Sequence, residues 1–161
     1  MYKNIEQYYL PEVISFYDPR GEWGAFSNLH LDFPIQFVGH TWPSVENLYF
    51  ALSFQHHTIF EQFLAVSPQA AKALKKRYEA ERQPEWSKIK ISQMKRCLQL
   101  KFDQHRSQVE PLLRVTNRKH LVELSPDDTF WGACQINSQQ AIGCNVIGKI
   151  WMEIRESLDA N

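Results

Sequence analysis

A chain of 161 residues has room for one domain with a sizeable core and little room for a second. Its 18 Lys and Arg against 18 Asp and Glu exclude the strongly basic footprint of sequence-independent nucleic-acid binding, while leaving a local basic pocket open. No apolar run approaches the roughly 18 residues needed to span a bilayer, so no membrane partner is expected.

Residues 1–12 mix polar and aromatic side chains without a clear period and read as a peripheral arm. The run MYKNIEQYYLPEV has no apolar h-region, so no secretory signal is visible and a cytoplasmic location is expected. Val13 to Tyr17 alternates weakly and predicts a short strand. Asp18 to Trp23 contains Pro19 and Gly21 and reads as a loop, after which Ser27 and Asn28 offer two polar groups behind Phe26. Phe33 to Val38 predicts a second strand, with Pro34 near its start, where a missing N–H is tolerable.

The stretch VGHTWPSVENLYFALSF, Val38 to Phe54, carries the densest signal. Gly39 and Pro43 punctuate a turn, and Ser44 is placed to cap a helix beginning at Val45. Glu46 then falls in the first turn, where free backbone N–H groups and the positive end of the helix dipole favour a carboxylate. Helical spacing puts Glu46, Tyr49, Phe50 and Ser53 along one side, an acid on an aromatic-lined face beside a turn carrying Trp42. The plainer alternative is a surface Glu that supports its own helix terminus.

Further on, Ile59, Phe60, Phe63 and Leu64 recur at helical spacing. Ser67-Pro68 opens another helix, whose Lys72, Lys75, Lys76 and Arg77 form either a solvated face or a phosphate site. Pro84 breaks the pattern. The clearest helix spans Glu85 to His105, with Ile91, Met94, Leu98 and Phe102 on one core-facing stripe. Lys90 and Lys101 share an edge of that stripe, either reaching into a cleft or snorkelling to solvent. Pro111 to Arg114 predicts a short helix, Leu121 to Leu124 a strand, and Ser125 to Asp128 a turn or cap. Phe130-Trp131-Gly132 places a large ring before a glycine, and the polar stretch Ala133 to Ala141 reads as a loop. From Asn145 a last amphipathic helix runs through Ile147, Ile150, Trp151, Ile154 and Leu158. With no repeat or linker, residues 1–161 read as one domain.

The three cysteines, Cys97, Cys134 and Cys144, lack the paired spacing of zinc or redox sites and read as reduced thiols. The six histidines are scattered, with no H-x3-H or HExxH pair. Neither a metal nor a cofactor is expected.

Taken in order, these stretches resemble the NADAR family, which includes the YbiA-like proteins. The resemblance rests on Phe26-Ser27-Asn28, on Gly39 followed by Trp42-Pro43-Ser44-Val45-Glu46, on Phe54, and on Ser67-Pro68 with Ala71. It continues through Trp86, Met94 and Lys101-Phe102, then Leu121-Val122-Glu123 and Asp128 with Phe130-Trp131-Gly132. It closes on Gly143, Asn145, Gly148, Met152 and Arg155, covering about residues 13–158. The ordered set is specific where no single piece is. It implies an α+β, predominantly helical, single compact domain with a small β element. It also implies an N-glycosidase that hydrolyses the bond between a ribose carbon and a nitrogen. The implied substrates are phosphoribosylamino-pyrimidine intermediates of riboflavin biosynthesis or, in some branches, ADP-ribose attached to guanine. Nucleic acid would enter only as a carrier of that adduct.

By the same resemblance Glu46 and Asp128 are the candidate catalytic residues. Ser27, Asn28, Trp42, Ser53, Trp86, Lys101, Trp131, Gly132 and Asn145 are the candidate substrate contacts. The chemistry suits these types, because breaking an N-glycosidic bond builds positive charge on the sugar as O-glycoside hydrolysis does. An ionised Glu46 would stabilise that charge or orient a water. Asp128 or Glu123 would protonate the departing nitrogen. Trp131 or Trp42 would stack on the base, and Lys72, Lys75, Lys76, Lys90 or Lys101 would meet the phosphate.

Three departures from the family pattern bear on activity. Relatives carry Lys where this chain has Ser53, and that lysine could serve as a phosphate clamp, a charge partner or an amine nucleophile. They often show Gly-Arg at Lys75-Lys76, and a glycine-rich basic segment where this chain reads ACQINSQQA after Gly132. A second reading therefore stands beside the enzyme: a non-catalytic module binding ADP-ribose, NAD or a related nucleotide, its chemistry eroded at Ser53. Oligomeric state is not legible in one chain.

Overall fold

The computed structural model describes residues 2–159. In chain order it forms β1 (Glu6–Tyr9), β2 (Ile14–Phe16), β3 (Ile35–Phe37), β4 (His40–Trp42), α1 (Val45–Ala51), α2 (His57–Gln62) and α3 (Pro68–Arg77). There follow α4 (Trp86–Gln104), α5 (Arg106–Val115), β5 (Leu121–Glu123), β6 (Cys134–Asn137), β7 (Gln140–Gly143) and α6 (Val146–Asp159). The fold is α+β and predominantly helical, with three small sheets among the described residues. The chain divides into two compact units: a terminal unit from Met1–Ser27 with Ser107–Asn161, and a central unit, Asn28–Arg106.

In the terminal unit, β1, β7 and β6 form an antiparallel sheet in that order, with Glu6 opposite Gly143 and Tyr9 opposite Gln140. β2 runs parallel to β5, Ile14 opposite Leu121 and Phe16 opposite Glu123. Two expectations are corrected here. The stretch 1–12 is not merely an arm, since β1 inserts Tyr8 into a cluster with Val122, Ala133 and Ala141. The supposed loop 133–141 contains β6 and the start of β7, joined by a tight turn at Ser138 and Gln139. Its polar look has a physical cause: Gln135, Ile136 and Asn137 lie exposed on an edge strand, and the buried positions of β7 are the small Ala141 and Gly143. α6 lies along β5, and Gly148 permits the approach, because a Cβ there would sit 2.1 Å from the Leu121 carbonyl oxygen. Trp151 is fully buried, its indole N–H donating to the Phe26 carbonyl at 3.0 Å and its ring 5.4 Å from that of Phe26. Side chains of this size contribute about 1.5–3 kcal/mol each when fully buried, so Phe26, Leu121, Ile150 and Trp151 dominate the local core. α5 begins at Arg106, earlier than the expected Pro111, which stands inside the helix and leaves it one backbone donor short.

The central unit is organised around α1, which α2, α3, α4 and β4 all contact. Seven residues cannot hold a helix in water alone, so packing holds it. Val45, Leu48, Tyr49, Phe50 and Ala51 are buried. Asn47 ties α1 to the segment after α2, its Nδ2 donating to the carbonyls of Phe63 (2.9 Å) and Val66 (2.8 Å). β3 and β4 form a hairpin through Val38 and Gly39, whose φ values of 50° and 75° are those of a type I′ turn. Ser67 caps α3 by accepting from the Ala70 N–H, with Pro68 in the first turn as its missing donor allows. On α4 the stripe Met94, Leu98 and Phe102 is buried as its spacing predicts, joined by Cys97 and Lys101.

Candidate active site

In the central unit the candidate residues gather on the start of α1. Ser44 has extended backbone, and its Oγ accepts from the Asn47 N–H at 3.2 Å while its hydroxyl donates to Asn47 Oδ1 at 2.7 Å. This cap fixes Glu46 in the first turn, where its side chain is half-buried. The Glu46 N–H donates to the Asn28 carbonyl at 3.1 Å, joining two candidates through the backbone. Asn28 is 3% exposed; its Nδ2 donates to Met94 Sδ at 3.4 Å, and its Oδ1 is buried without a hydrogen-bond partner among the described residues. Such an acceptor costs its desolvation and returns nothing within the fold.

Lys101 does not snorkel. It is 1% exposed, with Nζ 4.7 Å from the Phe33 ring centre, and burial pushes its ammonium down to about 7. Burial and then the Lys101 charge lower His30 as well. Phe33 sits between His30 and His105, its ring centre 4.7 Å and 5.3 Å from theirs. A lysine among basic residues gives no sequence signal of such burial.

Two readings of the α1 face are corrected. The helix ends at Ala51, so Ser53 lies in the following turn instead of on the Glu46 face; it is 1% exposed and its hydroxyl donates to the Phe50 carbonyl at 2.6 Å. Trp42 is no stacking platform: it is fully buried, packed edge-on to Phe60 at 4.7 Å, with its N–H donating to the Phe37 carbonyl. Trp86 is buried against Tyr49, ring centres 5.2 Å apart. Of the α3 cations, Lys75 lies 4.8 Å from the Phe50 ring centre, while Lys72, Lys76 and Arg77 face solvent.

In the terminal unit the candidates follow β5. Ser125 Oγ accepts from the Asp128 N–H at 3.1 Å, and Asp128 Oδ1 accepts from both the Phe130 and Trp131 N–H groups at 2.8 Å. The run Ser125 to Asp128 is thus the turn its residues predict, with Asp128 as its cap. Trp131 is half-buried, edge-on to Phe130 at 5.0 Å. Gly132 has no room for a side chain, since a Cβ would lie 2.5 Å from the Glu123 carbonyl oxygen and 3.1 Å from Glu123 Oε2. Glu123 itself is 8% exposed. Asn145, at φ 50°, is fully buried and committed to β5: Oδ1 accepts from the Glu123 N–H at 2.9 Å and Nδ2 donates to the Leu121 carbonyl at 2.8 Å. Ser27 is 2% exposed, its N–H donating to the Gly24 carbonyl.

Among the described residues no cluster of three or more His, Cys, Asp or Glu is placed to hold a metal, and no helix is long and apolar enough to cross a membrane. Desolvation pushes the fully buried Cys97 thiol up to about 12, which makes it inert.

Comparison with known proteins places this arrangement. The model of the NADAR domain matches residues 15–159. The N-glycosidase YbiA of Shigella boydii serotype 4 (strain Sb227) is 31% identical over 147 residues, spanning 91% of this chain and 88% of that protein. The chloroplastic riboflavin biosynthesis protein PYRR of Zea mays is 31% identical over 165 residues, spanning 93% of this chain and 26% of the longer protein. The fold matches the NMR structure of the E. coli protein YbiA with a TM-score of 0.79 at 30% identity, over 94% of this chain and 87% of that one. With nearly its whole length matched in sequence and in fold, the chain belongs to the NADAR family, among relatives named as N-glycosidases.

Proposed function

We propose that the protein hydrolyses the N-glycosidic bond of a phosphorylated ribosyl compound, either a phosphoribosylamino-pyrimidine or an ADP-ribosyl adduct of guanine. The observation that carries this reading is the capped first turn of α1. There the Ser44 cap on Asn47 and the Glu46 N–H on the Asn28 carbonyl fix the backbone from which a half-buried Glu46 side chain projects. A carboxylate presented from a fixed helix turn suits the charge that develops on the ribose carbon, because less of its setting has to reorganise as the bond breaks. The names of the relatives, N-glycosidase and riboflavin biosynthesis protein, support the reaction class and the pyrimidine branch of the substrate.

The test is a product assay by mass spectrometry on phosphoribosylamino-pyrimidine, ADP-ribosylated guanine and NAD, with the wild type beside Glu46→Gln. Free base or ribose should form with the wild type on one of the first two. Glu46→Gln should lose about 10²-fold or more, the scale of a lost charged group in a preorganised site. Wild-type rates in Glu46→Gln would remove Glu46 from the reaction.

One observation favours a second reading. Position 53, where the family resemblance implies a lysine, holds a buried serine bonded to the Phe50 carbonyl, so it offers no ammonium. In that reading the chain binds ADP-ribose, NAD or a related nucleotide without turnover. Calorimetric binding with no released base over long incubation would establish it.

A further inference from the structure

We propose that the open edge of β2 receives an extended peptide of a partner protein, added as an antiparallel strand; this goes beyond the glycosidase reading and does not depend on it. Among the described residues β2 pairs with β5 alone. Ile14 and Phe16 carry that ladder: the Ile14 N–H donates to the His120 carbonyl at 2.8 Å, and the Phe16 carbonyl accepts from the Leu124 N–H at 2.9 Å. Successive residues of a strand turn their backbone groups to opposite sides. The N–H and carbonyl of the exposed Ser15 therefore point away from β5, as does the Tyr17 N–H beyond it. Such an unpaired row is a template for a further strand.

The edge lines a groove of about 920 Å³ within the terminal unit, between the loop 17–24 and the turn 115–119. None of the candidate substrate contacts lines it. A second copy would bring the same two walls, so its equally recessed β2 could not reach the floor, whereas a single extended chain can. Charge says which chain fits. Lys119 stands at the start of β2, next to the His120 whose carbonyl holds Ile14, and Glu22 stands in the loop that follows the strand. Both are exposed, and neither makes an ion pair among the described residues. Asp18, in the same loop, is already paired with Arg20 at 3.3 Å. An antiparallel strand thus brings a cation at its N-terminal end to Glu22 and a carboxylate at its C-terminal end to Lys119. Between these charges Val115, 73% exposed, and Trp23 line the groove and suit apolar side chains. The occupant is a peptide of basic, apolar, acidic order, held by main-chain hydrogen bonds and aligned by its end charges.

The test titrates the ¹⁵N-labelled full chain with the peptide acetyl-Lys-Thr-Val-Thr-Val-Thr-Glu-amide and follows the backbone amides by NMR. The Ser15 and Tyr17 amides should shift together with those of the groove walls, and the Ser15 amide should gain protection from hydrogen exchange. Exchanging the terminal Lys and Glu of the peptide should weaken binding about tenfold, since each end then meets a like charge. Proline in place of the central Thr removes the donor to the Ser15 carbonyl and should also cost about tenfold. The double variant Glu22→Lys, Lys119→Glu should invert the preference between the two charge orders, a gain of binding that a misfolded chain cannot give. A peptide that leaves the Ser15 amide unmoved at millimolar concentration overturns the proposal, as do equal affinities for the two charge orders. Sedimentation of the protein alone tests the other occupant. A monomer is expected, and a dimer that Ser15→Pro dissolves would make the edge a contact between copies and overturn the proposal too.

Discussion

Asn28 carries a cost the fold does not recover. Its Oδ1 is buried without a hydrogen-bond partner among the described residues, and its Nδ2 reaches only the weak thioether acceptor of Met94 at 3.4 Å. An unsatisfied buried acceptor destabilises by about 1–3 kcal/mol, and replacing the group by an apolar one of similar shape is neutral or stabilising. Asn28→Leu should therefore leave the melting temperature unchanged or raise it by the equivalent of about 1 kcal/mol, as a residue kept for function would. A fall of that size in a thermal melt would show that the amide supports the fold. The same residue shows what was legible. Behind Phe26 it reads as a polar loop group, and the structure places it against Glu46, which no local pattern reveals. Asp128 sits in a turn that its neighbours announce, and three backbone bonds hold it there, its N–H on Ser125 Oγ and its Oδ1 on the Phe130 and Trp131 N–H groups.

At the level of elements, signals written within a few residues came through and pairings across the chain did not. Ser44 before Val45, Ser67 before Pro68 and the apolar stripe of α4 each depend on neighbours one turn away. β1 and β7 lie more than 130 positions apart in the sequence, and each is too short and too polar to announce itself. The β3–β4 hairpin was half legible, because its turn holds one residue the geometry asks for and one it does not. Both turn positions have positive φ, and Gly39 adopts it freely. Val38 is β-branched at φ 50° and 71% exposed, a conformation such residues avoid. Asn-Gly is the preferred pair for this turn. Val38→Asn should stabilise the protein by about 1 kcal/mol, since the strain goes and no packing is lost. A chemical melt checks it, and an unchanged midpoint would mean the hairpin relaxes around valine at no cost.

For the molecule as a whole, the dependence of stability on pH should bear the mark of one buried amine. Burial lowers Lys101 from 10.5 to about 7. The unfolded chain thus holds a proton between about pH 7 and 10.5 that the folded chain has released, and unfolding takes that proton up. Stability therefore rises with pH across this window, and below pH 7, where both states are charged, the penalty of burying the ammonium is present in full. Lys101→Met keeps most of the side-chain volume and removes the charge. The variant should be more stable than the wild type near pH 7, and its advantage should shrink steadily as pH is raised towards 10. Groups other than His30 titrate in both proteins alike, so the difference between two urea series reads chiefly the lysine. His30 supplies a second reading in the same variant: the Lys101 charge is one of the causes that lower it, so its titration followed by NMR should move upward when that charge is removed. A stability difference that stays constant from pH 7 to 10 would show that Lys101 remains an ammonium throughout the folded state.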